Sequence, residues 1–108
     1  MADLPPTFEG FEWDRGNRAK CQQHGVSIEE IETALTSGAM LILPDTRHSD
    51  EEDRLIATGS GISRRHILVV FTLRRRGGRT LLRPVSARYM HRKEIAVYDQ
   101  ARAKAENR

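Results

Sequence analysis

The sequence predicts an α+β fold of order β-α-α-β-β-β-β-α, on three observations. Apolar residues recur at helical spacing up to a Ser37-Gly38 break, apolar and β-branched runs divided by turn signals fill 39–89, and helical spacing returns from about residue 91. Strands grouped between helices, instead of alternating with them, point to an antiparallel sheet packed by helices. A chain of 108 residues is expected to form one domain over 1–108, with loose termini at 1–6 and 104–108.

FEGFEWD (8–14) alternates aromatic and acidic residues, with Phe11 and Trp13 on one side and Glu12 and Asp14 on the other, the pattern of a short half-buried strand. Asp14 can cap a helix over 15–23, and His24-Gly25 stops it because glycine accepts the left-handed conformation at a helix C-terminus. Ser27 with Glu30 three residues on is a capping-box signature, and Ile28, Ile31, Ala34 and Leu35 supply the stripe of a second helix over 28–36. The period then changes. AMLILPD (39–45), DRLIATG (53–59) and HILVVFTLR (66–74) are apolar runs, the third β-branched and apolar on both faces, which predicts a central strand. Gly77-Gly78 suits a tight hairpin turn at positive φ, and TLLRPVSARY (80–89) completes an antiparallel meander. Pro84 removes one ladder donor, so an edge position or a nearby bulge is expected. The last helix, about 91–103, carries Ile95, Tyr98 and Arg102 on one side with Met90, Val97 and Ala101 nearby, a stripe that can pack across the sheet.

The net charge of +3 conceals a strong segregation. From Arg54 through Lys93 there are eleven Lys/Arg residues and no Asp or Glu, whereas the remainder carries seven basic and fifteen acidic residues. A block of +11 beside −8 builds a local positive field that attracts polyanions. Cys21 is the single cysteine and has no Cys/His set at ligand spacing, so a buried small hydrophobe is expected. No apolar run approaches the ~20 residues of a spanning helix. MADLPPTF is acidic and proline-bearing, unlike a signal peptide, and a soluble cytoplasmic protein is expected.

Most enzyme signatures are missing: no glycine-rich phosphate loop after a strand, no H-E-x-x-H, no G-x-S-x-G. Asp45, Asp50, Glu51, Glu52 and Asp53 lack the alternating spacing and glycine of a calcium loop, and neither metal nor cofactor is expected. The chain offers basic side chains instead. Composition alone says only polyanion binding; if the polyanion is RNA, Arg54, Arg64, Arg65, Arg74, Arg92 and Lys93 are candidates for holding its backbone, and Arg83, Arg88, His91 and Tyr98 for chemistry on it. Arginine forks grip phosphate oxygens, histidine titrates near neutrality, and tyrosine can orient or relay a proton. RNA needs no metal for this: its 2′-hydroxyl can attack the adjacent phosphorus if one group takes the proton, arginines stabilise the anion, and another group protonates the leaving oxygen.

SARYMHRKE (86–94) places cations on a helix start, where unpaired N–H groups disfavour them. A bound anion would remove the conflict, and Glu94 can satisfy the helix end while orienting Arg88 or His91. Strand parity is a check. In a regular strand Arg88 shares a face with Ser86 and Leu82, and Arg83 with Leu81 and Val85, so both arginines meet one substrate only if a bulge near Pro84 intervenes. His24 reads as a structural cap or turn contact, His48 as paired with neighbouring acids, and Arg74-Arg75-Arg76 as a solvated turn or substrate-steering patch. Tyr98 fits the packed stripe as well as a proton relay.

FEWD (11–14), HGVS (24–27), D-x-x-HS-x-EE-x-R (45–54), LVVFT (68–72) and R-P-V-SAR-x-x-x-R-x-E (83–94), in that order, resemble the BrnT family of bacterial type II toxins over about residues 8–100. The resemblance implies a RelE-like fold and metal-independent endoribonuclease activity that inhibits translation. It also implies neutralisation by a BrnA-type antitoxin, whose ribbon-helix-helix domain binds DNA, in a heterotetramer that represses the shared operon. By position, the family's arginine after the HS-acidic stretch matches Arg54, its strand arginine Arg83, its SAR arginine Arg88, its helix-opening basic and acidic positions Arg92 and Glu94, and its tyrosine Tyr98. Two departures stand out. The spacer between FEWD and HGV is one residue shorter and lacks the lysine before the histidine, which bears on His24. His91 stands where many members have threonine, so it is either a substituted cap or an added general acid/base. The alternative to a nuclease is a non-catalytic nucleic-acid or protein-binding module using the same basic face.

Overall fold

The computed structural model describes residues 7–37, 40–45, 54–60 and 65–106. Within them the chain forms α1 (Arg15–Gln22), α2 (Ile28–Thr36), β1 (Leu41–Pro44), β2 (Leu55–Ser60), β3 (His66–Arg76), β4 (Arg79–Tyr89) and α3 (Arg92–Glu106). The strands make one antiparallel sheet in the order β1-β2-β3-β4, an α+β architecture with β3 central as its two-sided apolar sequence requires. Local chemistry sets the boundaries. Asp14 accepts the Asn17 N–H and the Asn17 side chain accepts the Asp14 N–H, a reciprocal box that starts α1, while Ser27 Oγ accepts the Glu30 N–H at the start of α2. Gly77 and Gly78, at φ of 57° and 79°, turn β3 into β4 in two residues.

The FEGFEWD segment departs from expectation. It forms a single parallel bridge, Phe11 to Leu82, running beside the edge of β4 through bonds such as Glu12 N–H to the Leu82 carbonyl. The buried Asn17 is the reason the ladder goes no further. Its side-chain amide donates to the carbonyls of both Glu12 and Pro84, at 2.9 Å each, clamping the segment to β4 just as the chain turns into α1.

Alternation along the strands divides the sheet into two faces. On the inner face Ala57, Ile67, Val69, Phe71, Leu82 and Ala87 meet Cys21 of α1, Ile31, Ala34 and Leu35 of α2, and Val26 and Met40 beside them, forming the core. Burial pushes the Cys21 thiol up to about 11, in keeping with a packing role. The outer face carries Leu41 and Leu43, then Ile56 and Thr58, then Leu68, Val70, Thr72 and Arg74, as the register shows.

Between Val70 and Phe71 the β3–β4 register slips: Val70 faces Ser86, but Phe71 faces Pro84, leaving Val85 as the extra residue of a bulge. That one residue reverses the parity of β4. Arg88, opposite Leu68, and Arg83, opposite Thr72, therefore stand on the same outer face. Pro84 has both expected features, an edge strand and an adjacent bulge.

α3 follows β4 and lies against the outer face, lining a groove with residues of β1, β2 and β3. Tyr98 is 5% exposed and meets the His66 ring edge-on at 5.5 Å, whereas Val97 of the same helix is 66% exposed. Val97 and the exposed Leu43 flank an apolar groove floored by Leu41, Ile56, Leu68 and Tyr98, so the stripe of α3 is only partly covered. No described helix is long and apolar enough to cross a membrane.

Candidate functional site

The outer face near β4 holds two adjoining cavities. The larger, about 490 Å³, is lined by Lys20 and His24 from the end of α1, Asp45 after β1, Arg54 before β2, Arg88 of β4 and Glu94 of α3, over a floor that includes Ile56, Leu68, Val70 and Ser86. The smaller, about 280 Å³, is lined by Gly16, Asn17, Lys20, Arg54, Arg74 and Arg83, with Pro84 and Val85. Lys20, Arg54 and the bulged Val85 border both. The bulge thus joins what strand parity separates.

Arg88 is held tightly. Its Nη1 and Nη2 donate to the two Glu94 carboxylate oxygens at 2.7 Å each, and Nη1 also donates to the Tyr89 carbonyl at 3.3 Å. Glu94 Oε1 accepts the His91 N–H as well, at 2.8 Å. The bonds from Arg88, then that from His91, hold the Glu94 carboxyl down to about 2 against the cost of its burial, and the same pairing raises Arg88. A guanidinium has five N–H groups, and Glu94 and Tyr89 engage three. Nε–H and the second Nη2–H remain as a side-on fork, the geometry that grips phosphate bidentately. Glu94 is therefore a partner that orients Arg88 and leaves it donors.

Arg83 has different company. Its Nη1 lies 3.3 Å from Glu12 and its Nη2 2.8 Å from Asp14, while Arg76 Nε reaches Glu12 at 2.7 Å. The Arg76 hydrogen bond, with the charge of Arg83 behind it, lowers the Glu12 carboxyl; the Asn17 N–H, then Arg83, lowers that of Asp14. Arg54 sits one residue before Leu55, whose partner is Phe71, so it extends β2 toward Thr72, itself opposite Arg83. Among the described residues its Nε and the Thr72 hydroxyl are buried without hydrogen-bond partners.

The remaining predicted residues disperse. Tyr98 lines the apolar groove on the far side of Glu94, and Lys93 borders the same groove. His91 is exposed at the entry to α3 and lines neither cavity, and Arg92 is exposed beside it. Arg65 stacks on the Tyr89 ring at 3.5 Å, and the Tyr89 hydroxyl donates to Glu30 of α2, which places this pair toward the inner face. Arg64, His48 and Asp50 to Asp53 lie outside the described residues. Among the described residues no three His, Cys, Asp or Glu gather to hold a metal.

Sequence reasoning missed Lys20 and His24 as cavity residues. His24 immediately precedes Gly25, at φ 92°, and the turn looks structural until α1 is seen packed beside β4. The family model BrnT, described as the ribonuclease toxin of type II toxin-antitoxin systems, matches residues 13–94. No curated protein matches the chain.

Proposed function

The chain belongs to the BrnT family of ribonuclease toxins of type II toxin-antitoxin systems, and from that premise we propose that the larger cavity is the nuclease centre of a RelE-like, metal-independent endoribonuclease. A phosphodiester of the RNA occupies the side-on fork of Arg88, with Arg54 and Lys20 supplying further positive charge. The 2′-hydroxyl oxygen attacks phosphorus and gives its proton to a base; the bond from phosphorus to the 5′-oxygen breaks, and that oxygen takes a proton. The products are a 2′,3′-cyclic phosphate and a 5′-hydroxyl. His24, the imidazole lining this cavity, is the proton carrier best placed for the work, because an imidazole can serve as base and then as acid near neutral pH. His91 acts through its backbone on Glu94, and Tyr98 supports α3 beneath it.

The single observation that carries this reading is Arg88, fixed by two 2.7 Å bonds to Glu94 inside a cationic cavity while two of its donors stay available. Its guanidinium stabilises the charge that grows on the phosphoryl oxygens. Inhibition of translation in the cytoplasm and neutralisation by a BrnA-type ribbon-helix-helix antitoxin, in a heterotetramer that touches DNA only through the antitoxin, complete the reading.

Incubation with RNA in excess EDTA tests it. Cleavage is expected to persist and to leave cyclic-phosphate ends, and Arg88→Lys, which keeps the charge but loses the fork, is expected to lower kcat about 100-fold or more. Cleavage abolished by chelation, or an unchanged rate in Arg88→Lys, would rule it out. Salt-sensitive RNA binding with no turnover would instead favour a binding module on the same face.

A further inference from the structure

Building on the nuclease reading, we propose that the smaller cavity is a second phosphate subsite, which takes a backbone phosphodiester of the same strand while another sits at Arg88. Its lining is one-signed. Among the described residues Lys20, Arg54, Arg74 and Arg83 border it and no carboxylate does, whereas Asp45 and Glu94 offset the cations of the larger cavity. Glu12 and Asp14 counter Arg83 but do not line the space. Cations gathered at a concave surface repel one another and focus a field that an anion relieves.

A second observation points the same way. Among the described residues Arg54 Nε and the hydroxyl of Thr72, which is 1% exposed, are buried without hydrogen-bond partners in the row that leads to Arg83. Buried polar groups are normally satisfied, and Arg54, which borders the cavity, brings to it a donor that a phosphate oxygen would satisfy.

The spacing suits a polyanion more than a single ion. Arg88 opposes Leu68 and Arg83 opposes Thr72, and four residues of strand span about 14 Å at ~3.4 Å each. Lys20 and Arg54 border both spaces, so one strand crossing the face keeps cationic company throughout. Arg83 is then a binding group for a flanking phosphate and not the group that stabilises the reacting one.

The test uses the full chain and fluorescent oligodeoxynucleotides, which lack the 2′-hydroxyl and so are not cut, read by anisotropy at lengths from two to six nucleotides. Arg74→Gln is expected to leave affinity for the dinucleotide, with its single phosphodiester, within about twofold and to weaken the hexanucleotide about tenfold, reducing the slope of log K against log salt by about 0.7. Arg74→Lys is expected to restore that slope. The parent protein gives an independent readout should Arg74→Gln not fold: its salt slope must steepen by a similar amount once the strand carries enough phosphates to reach both cavities. Equal losses at every length, no loss at any, or a slope that ignores length overturns the subsite. So does a glutamate hexapeptide bound as tightly and with the same dependence on Arg74. Length-dependent binding without RNA cleavage would sink the nuclease reading alone; cleavage without length dependence would sink the subsite alone.

Discussion

Glu94 decides what Arg88 can do. Its carboxylate engages two of the guanidinium nitrogens and the His91 N–H at once, so the helix start that looked too basic in sequence contains its own anion. The pair has a pH signature. A carboxyl held at about 2 in the fold against an ordinary 4.5 contributes stability that is fully present above 4.5 and is lost as pH falls through about 2. Glu94→Gln is therefore expected to cost about 1–2 kcal/mol at pH 7, discounted for partial solvent exposure, with the difference from the parent shrinking between pH 4.5 and 2. Urea denaturation of both proteins at pH 7 and pH 3 measures it; a difference independent of pH would contradict the ion pair. The contact between Glu94 and Arg88 was legible in sequence because the two are six residues apart. The place of His91 was not, because a residue at a helix entry can face either way and only packing chooses.

At the scale of elements, most boundaries were legible because they are local. The Asp14 and Ser27 caps, the Gly77-Gly78 turn and the two-sided apolar β3 each follow from short-range chemistry. FEGFEWD was misread because its alternation is real but its hydrogen bonds go to Asn17 as well as to β4, a partner 67 residues from Pro84. The bulge is the element-level feature on which the site depends. Deleting Val85 forces either Arg83 and its neighbours or Arg88 and its neighbours to the other face, since a one-residue slip inverts every side chain beyond it. Loss of more than ~3 kcal/mol in urea denaturation is expected, against less than ~1 kcal/mol for Val85→Ala, which keeps the extra residue. Equal effects of the two changes would mean that the bulge is not what positions the arginines.

Across the whole molecule, charge follows architecture. The basic block of 54–93 spans β2 through the start of α3, and the outer sheet face grades from the apolar groove beside β1 to cations beside β4 and α1. Such a face should make RNA cleavage at subsaturating substrate fall steeply between 50 and 200 mM salt, with a log-log slope of roughly −0.7 for each phosphate engaged. A flat salt response would show that the arginines do not meet the backbone. By itself the sequence determined the fold class, the helices and the meander, because these rest on periodicity and turn residues, which neighbours along the chain carry; the family was legible in five short motifs in order, and the segregated charge pointed to a polyanionic ligand. Only the tertiary structure decided that Arg83 and Arg88 share a face, that Lys20 and His24 join them, and that Arg65 and Tyr98 stand elsewhere. Those outcomes turn on one unpaired residue in β4 and on where α1 and α3 come to rest, and convergence of side chains from distant segments leaves no trace in local spacing.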